Sequence, residues 1–202
     1  MRLFMTPGSP YARVVRIAAI ELGLAPRIET VPATLRDPNS VVLPYSPLGR
    51  VPVLEADDGL VLGDTKTICE YLDRLHVGPR FTPNGGADLW QQRAFEAFAV
   101  GFMDGIIAYG RELARPEDKR SPVMFEGEVA RARRCLDHLE ARAGTLPQTA
   151  TFGPVMLACA LAYLDRLATG SDWRTGRPAL AEWFAAMAAK PSFVATAPPP
   201  KP

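Results

Sequence analysis

Two places in the first 76 residues of this 202-residue chain bring a hydroxyl or a carboxylate to the predicted start of a helix. Ser9 precedes Pro10 just after a short apolar run, and Asp64-Thr65 follows Gly63 ahead of a second segment with helical periodicity. The first turn of a helix carries unpaired backbone N–H groups and the positive end of the macrodipole, so both places suit an anion. Both are also ordinary capping signatures. Ser before Pro, or Asp accepting from N–H groups two or three residues on, accounts for a helix start with no ligand at all. Tyr11 and Arg13 follow Ser9 closely, and Arg13, four residues on, shares its helical face. An arginine there can lend positive potential to a bound anion, and an arginine turned to solvent or paired with a carboxylate fits the pattern equally well.

Other chemistry is harder to find. Cys69, Cys135 and Cys159 are odd in number and widely spaced, with no C-x-x-C pair and no His at ligand spacing, which argues against a disulfide framework or a zinc site. Reduced thiols and a cytoplasmic location are the expectation, with no metal. With 23 Lys and Arg against 22 Asp and Glu, largely interleaved, the chain lacks the basic concentration of a nucleic-acid binder. The N-terminus shows no secretory leader pattern, and the longest apolar-rich stretch, Val155 to Leu164, is too short to cross a bilayer, so no membrane partner is expected.

The elements that would carry these residues can be read in order. Arg2 to Met5 is a strand closed by Thr6-Pro7-Gly8. A helix follows from the Ser9 cap, with Val14, Val15, Ile17, Ala18 and Leu22 on one face and Gly23 as its stop. Arg27 to Val31 reads as a second strand, and the proline-punctuated stretch from Pro32 to Pro47 as irregular with one short helix. Val51 to Glu55 and Leu60 to Leu62 form a hairpin around Asp57-Asp58-Gly59. Asp64 or Thr65 then caps a helix through Leu75, with Ile68, Tyr71, Leu72 and Leu75 on its face. The order β-α-β-α-β-β-α implies a mixed sheet. Beyond the Gly- and Pro-rich residues 77–86, taken as a linker, residues 87–114, 122–143, 153–169 and 179–189 show helical spacing only, so 87–195 reads as an all-helical domain. Residues 196–202 read as a flexible tail.

Three segments together resemble the cytosolic glutathione S-transferase family, in its bacterial, serine-type form. They are Ser9-Pro10-Tyr11-Ala12-Arg13, Pro47-Leu48-Gly49-Arg50-Val51-Pro52-Val53-Leu54, and Gly63-Asp64-Thr65 followed by Ile68 and Tyr71-Leu72. Asp104-Gly105-Ile106 and the stretch from Ala158 to Asp165 extend the likeness less specifically into the second half. The resemblance implies an α/β thioredoxin-like N-terminal domain with a mixed four-stranded sheet over residues 1–76, joined to an all-α C-terminal domain. It further implies glutathione as cosubstrate, a small apolar electrophile, and a homodimer.

The same resemblance implies roles. A free thiol of pKa about 8.5 is mostly protonated at neutral pH, and lowering it by about two units takes roughly 2.7 kcal/mol of preferential anion stabilisation. A hydroxyl donating to the sulfur supplies roughly 1.5–3 kcal/mol and a helix N-terminus about 0.3–1 more. Ser9 takes that part, with Tyr11 the competing hydroxyl and Arg13 an accessory cation. Val51-Pro52 is implied to be cis, with the Val51 backbone turned toward the cysteinyl part of glutathione. Thr65 would donate to the γ-glutamyl carboxylate, Asp64 would face the γ-glutamyl ammonium, and Arg50 would reach the glycyl carboxylate, although a solvated loop arginine explains Arg50 as well. Asp104 is a secondary candidate. The pattern departs from the family at Thr151-Phe152-Gly153-Pro154, where Pro stands in place of a capping Asp.

Among the aromatic residues of the first long helix of the second half, Trp90, Phe95, Phe98, Phe102 and Tyr109 with Met103, most are expected in packing and two in an apolar pocket. Alternatives from the same fold are glutathione-dependent thiol exchange or reduction, for which a Cys would be expected at position 9, an isomerase whose Ser-rich turn Thr6-Pro7-Gly8-Ser9 does not reproduce, and a non-catalytic binding or scaffold protein.

Overall fold

The computed structural model describes residues 1–167 and 172–199. Their contacts divide the chain into two compact units, Met1–Gly85 with Ala150–Phe152 and the C-terminal stretch from Pro191, and Gly86–Thr149 with Gly153–Lys190.

The first unit is a mixed sheet with order β2-β1-β3-β4, built from β1 (Arg2–Met5), β2 (Glu29–Pro32), β3 (Val53–Glu55) and β4 (Val61–Gly63). β1 runs parallel to β2 and antiparallel to β3, which pairs antiparallel with β4. The parallel pair needs a crossover, and α1 (Pro10–Glu21) supplies it. α1 buries Val14, Val15, Ile17 and Ala18, with its C-cap residue Leu22 buried on the same expected face, and packs beside α2 (Thr65–Arg74). Gly23 takes φ 69°, a left-handed conformation that ends the helix cheaply only for glycine. Phe4, Ala33, Val42 and Val53 form a cluster with Val31, Tyr45 and Val51 packed against it.

The short helix expected between β2 and β3 is absent. Residues 40–46 form successive turns instead, with Leu43 N–H donating to Ser40 O and Ser46 N–H to Val42 O. Pro38, Pro44 and Pro47 remove donors and restrict their predecessors, so no helical run can propagate there. β3 begins at Val53 rather than Val51 because Pro52 has no N–H to offer the ladder.

The second unit contains α3 (Leu89–Leu113), α4 (Pro122–Glu140), α5 (Gly153 onward of Phe152–Leu164) and α6 (Pro178–Ala188). α5 is apolar all round, with Val155 to Leu161 buried without a break, which is the pattern of a helix in the middle of a core. Residues 168 and 169, expected to extend this helix, and 200–202 of the expected tail lie outside the described residues.

The chain ends differ from the sequence boundaries. α7 (Pro191–Ala195) belongs with the first unit, and Thr196, placed in a flexible tail by composition, is 1% exposed. Part of the linker is also fixed: the buried Asp73 carboxylate accepts the Phe81 and Thr82 N–H groups at 2.8 Å each and the Thr82 hydroxyl, and Phe81 O accepts Phe152 N–H.

Candidate functional site

The sheet register decides what comes together. Phe4 faces Val53, and Val53 faces Gly63, so the exit of β1, the entry to β3 and the exit of β4 lie at one end of the sheet. Ser9 follows the first, Val51-Pro52 precedes the second and Asp64-Thr65 follows the third. That end includes the carboxyl termini of the two parallel strands, where open α/β sheets place their binding crevices.

Ser9 is the N-cap of α1, in extended backbone, and its Oγ accepts the Ala12 N–H at 3.2 Å. Its carbonyl accepts the Arg13 N–H at 3.0 Å, which closes the first turn. A hydroxyl has one donor and two acceptor sites, so capping occupies an acceptor and leaves the proton to donate. The two readings of Ser9 are therefore compatible in this geometry. Pro10 at the first helical position withdraws no needed donor.

The Val51–Pro52 peptide bond is cis. Pro52 is buried and Val51 half-buried, while Arg50, next to Gly49 at φ 57°, is exposed.

Asp64 caps α2 through Oδ1, which accepts Lys66 N–H at 2.8 Å and Thr67 N–H at 3.4 Å. It does so at φ 71° and ψ 135°, a conformation that costs an L-residue on the order of 1–3 kcal/mol. Such backbone persists where its surroundings impose it and clusters at ligand sites. Nothing in the Gly63-Asp64-Thr65 sequence announces it, although Asp tolerates positive φ better than most residues. Thr65, immediately inside the helix, is buried at 5% exposure, and Asp64 is exposed.

The accessory candidates separate. Tyr11 sits half-buried in the first turn of α1. Arg13 is 8% exposed, and its guanidinium donates to Phe193 O at 2.8 Å and Thr196 Oγ1 at 3.3 Å while lying 3.8 Å over the Phe193 ring. Asp104 is an exposed residue of α3, in the other unit.

Burial pushes the Cys69 thiol well above its ordinary pKa, with the negative charges of Asp73, Asp64 and Glu70 adding to the effect, and burial likewise raises Cys135. Neither is a ready thiolate at neutral pH. Among the described residues no group of three or more His, Cys, Asp or Glu gathers to hold a metal, and no helix is long and apolar enough to cross a membrane.

In the helical unit, Phe102 and Met103 are core, Phe95 lies against Gly153, Phe98 makes a tilted ring contact with His138, and Trp90, one of the six expected in packing or in an apolar pocket, is 81% exposed. Tyr109 lines a cavity of about 250 Å³ whose walls include Leu136, Leu164 and Trp173.

Comparison with known proteins agrees with this architecture. Residues 3–80 match the glutathione S-transferase N-terminal domain, and residues 111–186 match the glutathione S-transferase C-terminal domain. The GST-like protein YibF of Escherichia coli K12 is 32% identical over 202 residues, covering 98% of this chain and 99% of its own. A glutathione transferase family member from Pseudomonas fluorescens Pf-5, solved with bound glutathione, has 34% identity and a TM-score of 0.90, with 98% of each chain covered. A glutathione S-transferase from Methylobacillus flagellatus KT, also solved with glutathione, has 31% identity, a TM-score of 0.87 and the same coverage. The chain belongs to the glutathione S-transferase family, with a thioredoxin-like first domain and a helical second one.

Proposed function

We propose that this protein is a glutathione transferase of the serine type, binding glutathione at the sheet end described above and activating its sulfur with Ser9. The observation that carries the reading is the convergence implied by the register: a hydroxyl at one helix start, a cis-proline loop, and a second helix start with a strained Asp all lie toward one end of the sheet. The family's glutathione-bound structures support the same ligand.

In this reading the γ-glutamyl carboxylate lies at the start of α2, taking the Thr65 hydroxyl and backbone N–H, with the Asp64 carboxylate facing the ammonium group. The Val51 backbone pairs with the cysteinyl portion, and Arg50 reaches toward the glycyl carboxylate. The thiol proton leaves to solvent, and Ser9 O–H donates to the resulting thiolate, aided by the positive end of α1. The thiolate then attacks an electrophilic carbon of a small apolar substrate; the C–S bond forms as the leaving group departs with its electron pair. Ser9 has the required donor free. The cytoplasm, where glutathione and reduced cysteines coexist, is the proposed location, and a homodimer the proposed assembly, in which the exposed Trp90 would find cover.

Conjugation of glutathione to an activated aryl chloride tests the assignment. Ser9→Ala should lower kcat/KM by about 10- to 100-fold, the loss of roughly one to two pKa units of thiolate stabilisation. Tyr11→Phe should stay within about threefold of wild type. Retention on immobilised glutathione without conjugation in the wild type would favour the binding or scaffold alternative, and loss in Tyr11→Phe alone would transfer the role to Tyr11.

A further inference from the structure

The catalytic helix α1 is held by the far end of the chain. α7 packs against it, and the attachment is made of buried polar contacts rather than of apolar area alone. Arg13 supplies the centre: its guanidinium bonds the Phe193 carbonyl and the Thr196 hydroxyl and lies 3.8 Å over the Phe193 ring. Thr196 Oγ1 donates in turn to Ser192 O at 2.9 Å, which joins the acceptor of Arg13 to the α7 backbone. A second tie lies at the other end of α1, where the Ser192 hydroxyl donates to Glu21. Phe193, Ser192 and Thr196 are each exposed by 4% or less.

Arg13 is also the residue whose N–H closes the first turn on the Ser9 carbonyl. Its backbone thus defines the position of Ser9, and its side chain is anchored to a segment 180 residues away. A buried guanidinium held against an aromatic ring and by directional donors has little freedom to shift, and a hydroxyl aimed at a sulfur loses effect with small displacements.

We propose that Arg13 and α7 form a clamp that fixes the first turn of α1 and so aims the Ser9 hydroxyl, making Arg13 a positioning residue for thiol activation. The proposal rests on Ser9 being the activating hydroxyl. It extends the working site to a C-terminal segment remote in sequence from every residue expected to touch glutathione.

The test uses the full chain with Thr196→Val, Phe193→Leu and Arg13→Lys, each alone and in a Ser9→Ala background. Thr196→Val removes only the hydroxyl and preserves shape, so it stands even if a larger change impairs folding. Two quantities are read: the pKa of the bound glutathione thiol, from thiolate ultraviolet absorbance, and hydrogen exchange of the Ala12 and Arg13 amides. The clamp predicts that each single variant raises the thiol pKa by about half a unit to one unit and speeds first-turn exchange about tenfold. It predicts no further rise in the Ser9→Ala background. Arg13→Lys should behave like the other variants, because an ammonium keeps the charge but loses the guanidinium's contact with the ring and its paired donors. A wild-type thiol pKa in folded variants overturns the proposal, as does a shift equally large with and without Ser9. An identical pKa in wild type and Ser9→Ala would instead refute the activating role itself, visible without any clamp variant, and the positioning claim would fall with it.

Discussion

At Asp64 one side chain serves the fold and the proposed site together. Its Oδ1 caps α2, and its backbone sits at φ 71°, so the helix start tolerates a conformation that most residues would relax. Asp64→Asn keeps a capping oxygen and a residue type that accepts positive φ, and removes only the charge. Thermal stability should therefore change by less than about 0.5 kcal/mol, while glutathione affinity measured by calorimetry falls about tenfold or more if the carboxylate faces the ligand ammonium. Unchanged affinity would reduce Asp64 to a cap. The candidate residues were legible because caps have a short-range signature: Ser-Pro at α1 and Gly-Asp-Thr at α2 each declare a helix start. The positive φ of Asp64 was not legible, since the residue permits it without requiring it. The engagement of Arg13 was not legible either, because its partners Phe193 and Thr196 are separated from it by most of the chain and follow no periodicity that links them.

Elements form where local signals agree, and the exceptions show what overrides them. β1, α1, the β3–β4 hairpin and α2 appear close to their expected limits, since apolar alternation, capping and the Asp-Gly turn all favour the same answer. The expected helix before Pro47 fails because proline punctuation outweighs a few residues of apolar content. The apparent linker after α2 is held by Asp73, an interaction that composition cannot reveal: a carboxylate near a helix end reads as surface until its buried acceptors are seen to bind Phe81 and Thr82. Replacing it tests whether this tie holds the end of the first unit. Asp73→Asn leaves one donor-facing position wrongly occupied by an amide, so the variant should lose about 1.5–3 kcal/mol, lowering Tm by about 2–4 °C for each kcal/mol in a chain of this size. A variant as stable as wild type would mean that the Phe81–Thr82 segment is held by its packing alone.

Over the whole molecule, three exposed carboxylates in the two units share one electrostatic bias. The N-terminal ammonium holds Asp57 below the usual carboxylate range, with Arg27 assisting. The Asn39 N–H and the Thr34 hydroxyl do the same for Asp37, and the Arg174 N–H and guanidinium for Asp172. A depressed folded pKa contributes stability that is complete above the ordinary carboxylate value of about 4 and is lost as pH falls through the lower folded values. Urea midpoints should accordingly stay level from about pH 7 to pH 5 and decline below about pH 4, with a shallower decline in high salt because these groups are exposed. A midpoint rising on acidification would show that other groups dominate.

The account depends most on a hydroxyl at the start of α1 lowering the pKa of a bound thiol. Its most direct test is the pH titration of glutathione thiolate absorbance on the wild-type protein and on Ser9→Ala. The predicted result is a wild-type thiol pKa about one to two units below the free value of about 8.5, returned toward that value by the substitution. An equally low pKa in both proteins would contradict the role of Ser9, and glutathione that fails to bind the wild type would contradict the transferase reading itself.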